Sequence, residues 1–222
     1  MAENKTTEPD DKHPHERITR GESAPIMPWL AQLWLDDHFW CTANLISGRW
    51  ILTARHAVAD YLQTPSRIRI FPTNNYPPRS PSVTSTAIFV SPDTDMALLN
   101  LEHLITVPAG YARLASAYDV HVGDQGTIYG FGFGAADQQP HSLKRAEVRV
   151  IGANPGGQDG PTIEVQGLTG ASMPGDSGGP LIIGTELIGT LSTGTSLGEM
   201  NGNSFYANIG ASREWIRSTS GI

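Results

Sequence analysis

The stretch "MPGDSGGPLI", residues 173–182, places an acid and an alcohol, Asp176 and Ser177, among glycines and prolines. Gly, Asp and Ser are the residues that turns recruit, so the segment can be a surface turn. The glycines also allow a sharp backbone bend that points N–H groups at a reacting atom, with Ser177 as a nucleophile. The rest of the chain has to decide between these two interpretations.

The composition of the 222-residue chain excludes several classes of protein. With 39% hydrophobic and 17% charged residues, the chain is typical of a globular protein. Its 24 glycines and 16 prolines, together with short aliphatic runs, favour strands and turns over long helices. The formal net charge of −7 argues against a nucleic-acid partner, and no apolar stretch has the length of a membrane span. We therefore expect no nucleic acid and no membrane among its partners.

The chain has a single cysteine, Cys41. One cysteine excludes an intramolecular disulfide and a structural zinc site built on cysteines. We predict a secreted, extracellular protein. Because the N-terminus shows no apolar signal-peptide core, export would mean that the signal peptide is absent from this chain. A cytoplasmic location stays open, because the chain does not depend on disulfides.

Short apolar or alternating runs follow a polar segment at residues 1–17, which we interpret as a flexible leader. Their spacing predicts an all-β protein, either a sandwich or a pair of barrels. The less patterned stretch 102–120 is expected to cross between two halves, and only 211–220 has helical character. The strand-like runs are 29–35, 40–46, 50–54, 67–71, 86–90, 97–101, 125–132, 146–151, 162–166, 180–183 and 186–192. Four tryptophans in these runs are interpreted as core anchors: Trp29, Trp34, Trp40 and Trp50.

The order of residues along the chain restricts how Ser177 can be activated. A serine nucleophile needs a base within hydrogen-bond reach, and the base needs an acid that fixes its tautomer. The α/β-hydrolase order, in which the histidine follows the serine, is excluded because the last histidine is His141. A subtilisin-like order would use Asp36 or Asp37, which lie in a polar turn, and the pattern of a parallel sheet is missing. The order histidine, acid, serine remains.

Three segments in that order resemble the signature segments of the trypsin/chymotrypsin-like serine proteases. They are "WILTARHAV" (50–58), "DTDMALLNL" (93–101) and "GDSGGPL" (175–181), and "RITRGESAPIMPW" (17–29) resembles the family's activation site. The resemblance implies two packed antiparallel six-stranded β-barrels with a short C-terminal helix. The implied division is a leader at 1–17, an N-terminal barrel at 18–105, a crossover and C-terminal barrel at 106–208, and a helix at 209–222.

The resemblance implies a catalytic role for each residue of a triad. His56 matches the general base, Asp95 the acid that orients it, and Ser177 the nucleophile that forms an acyl-enzyme. The backbone N–H groups of Gly175 and Ser177 match the oxyanion hole. The chain is therefore expected to be a serine endopeptidase that acts on protein or peptide substrates without a cofactor.

The resemblance also implies activation by proteolysis. Cleavage after Arg17 would free the ammonium group of Ile18, which would then insert beside Asp176. A buried carboxylate without a partner costs several kcal/mol, so the new cation can order the loop that forms the oxyanion hole. We expect the intact chain to be an inactive precursor with an activating protease as a partner. Arg20 departs from the family's small or polar residue at that position.

The residues matched to the specificity pocket carry no charge. Ala171 matches the floor of the pocket, where trypsin-like members carry an acid. The walls match Ser192, Thr193, Gly194 and Ser204. An unpaired cation in such a pocket is unfavourable, which predicts a preference for uncharged, apolar residues before the cut bond. Cleavage after Arg17 would then require a different protease.

Two further departures from the family bear on stability and metals. The usual disulfide partner of Cys41 is replaced by Ala57, so we predict a buried free thiol. No acidic residue lies between Asp60 and Asp93, where some members hold calcium, so we predict no metal there. Two alternative functions remain, a non-catalytic binding protein on a protease-like fold and a highly selective protease with a single target. The complete triad favours an enzyme.

Overall fold

The fold is given by a computed structural model that describes residues 21–117, 120–133, 140–154, 156, 160–195 and 201–222. After a two-residue strand, β1 (Glu22–Ser23), six strands form the first half of the chain. They are β2 (Leu30–Leu35), β3 (His38–Leu45), β4 (Trp50–Thr53), β5 (Ile68–Phe71), β6 (Val83–Val90) and β7 (Ala97–Leu101). These strands pair antiparallel in the order β2-β3-β4-β7-β6-β5, and the pairing of β2 with β5 closes a barrel.

The second half forms a similar closed unit. Its strands are β8 (Gln125–Gly130), β9 (Lys144–Asn154), β10 (Thr162–Gly167), β11 (Pro180–Ile183), β12 (Glu186–Gly194) and β13 (Asn203–Asn208). They follow the order β9-β10-β13-β12-β11-β8, and β8 pairs with β9 to complete the closure. The short strand β1 pairs antiparallel with the first residues of β9. The two six-stranded barrels confirm the predicted fold class.

Strands at the boundary between the barrels are buried on both faces. In the paired strands β4 and β7, Ile51 and Leu99 point into the first barrel, whereas Leu52 and Leu98 belong to a cluster that includes Leu187 of the second. Side chains of successive strand residues point to opposite faces, so one strand can serve two cores. This explains why these runs are continuously apolar and do not alternate.

One α-helix, α1 (Ile209–Ser220), ends the chain. The side chain of Asn208 accepts a hydrogen bond from the Ala211 N–H (3.0 Å), which caps the first turn. Ile209 and Ile216 are fully buried in the cluster between the barrels. The predicted short C-terminal helix is confirmed, and it begins two residues before the stretch 211–220 that has helical character in the sequence.

Two expectations require correction. The strand β13 was not predicted, because "NSFYAN" shows no apolar run; it pairs with β10 and β12, and its Tyr206 and Ala207 are buried in hydrophobic core clusters. The interpretation of Trp40 as a core anchor is wrong, since 44% of this residue is exposed. Trp29, Trp34 and Trp50 are partly buried and pack against core clusters.

The predicted crossover, 102–120, has no strand in its described part, where a single bridge joins Leu114 to Leu187. Residues 1–20, including the leader, lie outside the described residues. Over the ranges that the structure covers, no helix is long and apolar enough to cross a membrane.

Candidate active site

Strand pairing brings the first two predicted triad residues together. His56 follows the end of β4 and Asp95 precedes β7, and these antiparallel strands pair with Thr53 opposite Ala97. The end of one strand therefore lies beside the start of the other. Ser177 lies in the turn before β11, and the N–H of Thr42 on β3 donates to its carbonyl oxygen (3.1 Å), which links the two barrels at this point.

The three side chains form a continuous hydrogen-bonded row. His56 Nδ1 lies 2.7 Å from Asp95 Oδ2, and the His56 backbone N–H donates to Asp95 Oδ1 at 2.8 Å. His56 Nε2 lies 3.1 Å from Ser177 Oγ. When Nδ1–H donates to the carboxylate, the tautomer is fixed and Nε2 has a lone pair free to accept the proton of Ser177.

Asp95 is held in its ionised form. Burial would raise the pKa of this carboxyl group, but hydrogen bonds from His56 and Ser192 outweigh burial and place the pKa below its ordinary value. The hydroxyl of Ser192 donates to Asp95 Oδ2 at 2.6 Å. Ser192, which the sequence assigned only to a pocket wall, therefore also contacts the acid of the row.

Within its described part, the protein offers no acceptor to the two predicted oxyanion donors. Neither the Gly175 N–H nor the Ser177 N–H donates to an acceptor within the described part of the chain. Gly175 has φ +90°, and a Cβ there would lie 3.0 Å from the Phe39 ring and 3.1 Å from Gly132 Cα. A side chain at position 175 is therefore disfavoured by backbone conformation and by space.

Thr42, which the sequence analysis did not single out, fixes the segment between these donors. Its hydroxyl donates to the Gly175 carbonyl oxygen (3.2 Å) and accepts from the Phe131 N–H (3.3 Å). The backbone N–H of Thr42 also donates to the Ser177 carbonyl oxygen. Thr42 therefore contacts both Gly175 and Ser177, whose N–H groups are the predicted oxyanion donors. The only signal in the sequence is a hydroxyl residue inside the apolar run "WCTANLI".

Asp176 is buried, with 2% of the residue exposed, and its carboxyl group is not part of the hydrogen-bonded row of the triad. Oδ1 accepts from the Gly132 N–H (2.7 Å) and Oδ2 from the Met173 N–H (2.8 Å). Burial raises the pKa of Asp176 to about 7, against the lowering effect of these two hydrogen bonds. No described residue forms an ion pair with it; Arg17 and Ile18, its predicted activation partners, lie outside the described residues.

A cavity of about 440 Å³ lies on one side of the His56–Ser177 pair. Its lining includes Pro174 and three of the predicted pocket residues, Ser192, Thr193 and Gly194. Ala171 and Ser204 are only 1% and 2% exposed and line neither of the two cavities that reach Ser177. The assignment of Ala171 to the pocket floor and of Ser204 to a pocket wall stays a prediction. Ser204 Oγ lies 2.6 Å from Ser172 Oγ in a buried hydrogen bond.

Cys41 is a free thiol with 1% exposure, as predicted. Burial raises the pKa of the thiol to about 12, although a contact with the Thr53 hydroxyl opposes the shift. Cys41 is therefore an apolar core residue at neutral pH, although it lies beside the active-site region.

Comparison with known proteins defines the class. A family model described as Trypsin matches residues 17–216, and the chain belongs to this family of serine-type endopeptidases. The chain is 27% identical over 239 residues to transmembrane protease serine 11A of Homo sapiens, an alignment covering 93% of this chain but 56% of that protein. It is also 27% identical over 249 residues to trypsin 5G1 of Aedes aegypti, covering 93% of this chain and 86% of the relative.

A bacterial relative and a solved structure extend the comparison. An uncharacterized peptidase of Corynebacterium glutamicum (strain R) is 26% identical over 184 residues, covering 79% of this chain and 62% of the relative. The structure of neuropsin, a serine protease expressed in the limbic system of mouse brain, superposes with a TM-score of 0.72 at 22% identity. The superposition covers 86% of this chain and 94% of that one. This likeness supports the fold.

Proposed function

We propose that the chain hydrolyses peptide bonds in protein or peptide substrates through an acyl-enzyme on Ser177. The observation that carries this proposal is the hydrogen-bonded row from Asp95 through His56 to Ser177, beside two backbone N–H groups that have no acceptor in the described structure. A binding protein on the same fold has no need of this arrangement.

The distances support an ordinary acyl-transfer sequence. Ser177 Oγ attacks the substrate carbonyl carbon while His56 Nε2 takes its proton, and Asp95 stabilises the resulting imidazolium. The Gly175 and Ser177 N–H groups stabilise the oxyanion; loss of one such donor costs about 100- to 1,000-fold in turnover in related chemistry. The protonated His56 then gives its proton to the leaving amine, and water releases the acyl group by the same steps.

The test of the proposed activity is labelling by a serine-directed fluorophosphonate. The wild-type chain, trimmed to begin at Ile18, is expected to gain one adduct, which peptide mass mapping places on Ser177. Ser177→Ala provides the control and is expected to gain none. Absence of the adduct from folded, trimmed wild-type protein would favour a non-catalytic binding protein.

We further propose that substrates carry an uncharged, apolar residue before the cut bond. In the 440 Å³ cavity the Asp95 carboxylate is already bonded to His56 and Ser192, and the described lining includes a cation, Arg55. Among the described residues that line this cavity, no unengaged carboxylate is therefore available for a substrate Lys or Arg side chain. A panel of peptides that differ only at this position tests the preference, and fastest cleavage after Arg would contradict it.

Activation by cleavage after Arg17 is proposed on the state of Asp176. A buried carboxylate held by two backbone N–H groups, without an ion pair in the described structure, can accept a new cation. Activity of the intact chain is expected to rise after trimming at Arg17, with the mass of each form verified. Equal activity of the intact and trimmed chains would remove the zymogen from the proposal.

A further inference from the structure

A second cavity, of about 530 Å³, shares His56 and Ser177 with the 440 Å³ cavity, and the two have no other described lining residue in common. Its residues belong to the β2–β3 hairpin and to segments around positions 76, 133 and 140. Five of them are aromatic: Trp34, Phe39, Trp40, Tyr76 and Phe133. None of the five lines the cavity that contains Pro174 and Gly194.

The aromatic lining is preformed. Trp40 donates its indole N–H to the Ala57 carbonyl oxygen (2.8 Å), which fixes a ring that stays 44% exposed. Phe39 makes edge contacts with Phe133 and Tyr76, with centroid separations of 5.8 and 6.3 Å, and Tyr76 stacks on Trp34 at 6.1 Å. A rigid aromatic surface loses little conformational freedom when it binds a ligand.

The position of the cavity assigns it to one side of the reaction. In the proposed function, the acyl part of the substrate lies along Ser192–Gly194, which belongs to the other cavity. His56, which must deliver a proton to the leaving amine, lines both cavities, so an amine in the cavity not taken by the acyl part stays beside its proton donor. The aromatic cavity contains His56 and Ser177, and the rest of its described lining is separate from the acyl side.

We propose that this cavity binds an aromatic or large apolar side chain of the residue directly after the cut bond. This inference rests on the proposed function and adds a second specificity element on the leaving-group side. The charged Asp37 in the lining is already paired with Arg69, which leaves the aromatic surface as its main recognition feature. Burying one large apolar side chain corresponds to roughly 10- to 100-fold in binding.

Acyl transfer to added amines tests the leaving-group side alone. An ester with an uncharged, apolar acyl residue forms the acyl-enzyme, and amino-acid amides then compete with water for it. The amine nitrogen attacks the acyl carbon, the bond to Ser177 Oγ breaks and an amide bond forms. The amine proton passes through His56 Nε2 to Ser177 Oγ, so no further reagent is required.

The measured quantity is the ratio of aminolysis to hydrolysis for each amide. Phenylalanine amide and leucine amide are expected to exceed glycine amide and aspartate amide by roughly tenfold or more. Equal ratios for all four amides, with normal ester hydrolysis, would overturn this inference and leave the proposed function standing. Absence of ester hydrolysis and of fluorophosphonate labelling would contradict the proposed function itself, and this inference with it.

A pair of variants locates the effect. Trp40→Ala is expected to bring the phenylalanine amide ratio close to that of glycine amide. Phe89→Ala is the matched control, because Phe89 is an exposed aromatic residue (41%) on β6 of the same barrel and lines neither cavity. Equal effects of the two variants would contradict the assignment. The wild-type series decides the inference even if Trp40→Ala does not fold.

Discussion

At the scale of single residues, the buried hydroxyl of Thr42 connects two backbone segments, one at Phe131 and one at Gly175, beside the predicted oxyanion donors. Thr42 Oγ1 has one donor and one acceptor partner, the Phe131 N–H and the Gly175 carbonyl oxygen. Both partners are backbone groups in a region that excludes water, where an unmade hydrogen bond costs about 1–3 kcal/mol. The hydroxyl is not expected to contact substrate itself; we infer that it positions the Gly175 N–H, a predicted oxyanion donor.

Thr42→Val keeps the shape of the side chain and removes this hydroxyl. We expect kcat to fall by roughly tenfold or more with little change in KM, because stabilisation of the oxyanion is lost only in the transition state. Thr42→Ser retains the hydroxyl and is expected to restore most of kcat. A loss of thermal stability with unchanged kcat in Thr42→Val would show that Thr42 is only a structural residue.

Ser192→Ala removes one of the hydrogen bonds that keep the pKa of Asp95 low. A carboxyl group with a lowered pKa in the folded state contributes stability above its unfolded pKa and loses it as the pH falls through the folded pKa. The variant is therefore expected to begin acid unfolding at a higher pH than the wild type. Circular dichroism against pH measures this; Ser218→Ala, on the exposed part of α1, is expected to unfold like the wild type.

The sequence could point to His56, Asp95 and Ser177 because each lies in a local signature, and the structure places their side chains within hydrogen-bond distance of one another. It could not point to Thr42 and Ser172, since their importance depends on partners 133 and 32 positions away. Ser192 was found for a pocket wall, and its bond to Asp95 follows only from the folded arrangement. Residues that act on substrate are thus easier to recognise than residues that hold them in place.

At the scale of elements, pairing of β4 with β7 and the turn before β11 position the site. The sequence predicted these strands because they are short and strongly apolar, and both are buried on two sides. It did not predict β13, which shows no apolar run of its own and pairs with neighbours on both edges. The sequence also could not reveal that Trp40 faces a cavity, because its position in a strand does not define which residues pack against its side chain.

The loop after β8 forms a space for the Asp176 carboxylate. A Cβ on Gly130 would overlap with Asp176 Oδ1, whereas nothing lies within 4 Å of a Cβ on Gly156. Gly130→Ala is therefore expected to lower the free energy of unfolding by about 1–3 kcal/mol and to reduce kcat. A urea titration measures the free energy of unfolding. Gly156→Ala is the control and is expected to change this free energy little. Unchanged stability of Gly130→Ala would contradict the packing described around Asp176.

At the scale of the whole molecule, the two barrels meet along an apolar boundary. The single cysteine, Cys41, is a free thiol, so an intramolecular disulfide does not stabilise the fold. Leu52, Leu98 and Ile216 are fully buried where strands of both barrels meet α1. Cohesion of the described structure thus rests on packing. Burial raises the pKa of Asp176 to about 7, and the pKa of Tyr206 is raised by its own burial and by the charge of Asp176.

The pH dependence of stability is expected to differ between intact and trimmed chains. Asp176 has a folded pKa of about 7, above its value in an unfolded chain. Its unfavourable ionisation is absent below about pH 4 and grows as the pH rises to 7, so the intact chain should lose stability over this range. An ammonium group beside Asp176 after cleavage would lower the pKa and remove this decline.

Thermal unfolding between pH 4 and 7 measures the difference. Asp176→Asn in the intact chain provides the control, because its side chain does not ionise and its Tm should lack the same decline. Parallel pH profiles for the intact and trimmed wild-type chains would contradict a new ion pair at Asp176.

In the proposed reaction, Asp95, His56 and Ser177 act as one catalytic unit. Rapid-mixing kinetics with an ester substrate tests this directly, because an acyl-enzyme that forms faster than it hydrolyses releases a burst of the first product. The trimmed wild-type chain is expected to give a burst close to one equivalent per protein, and Ser177→Ala none. Product release without dependence on Ser177, or no release from folded, trimmed protein, would contradict the account.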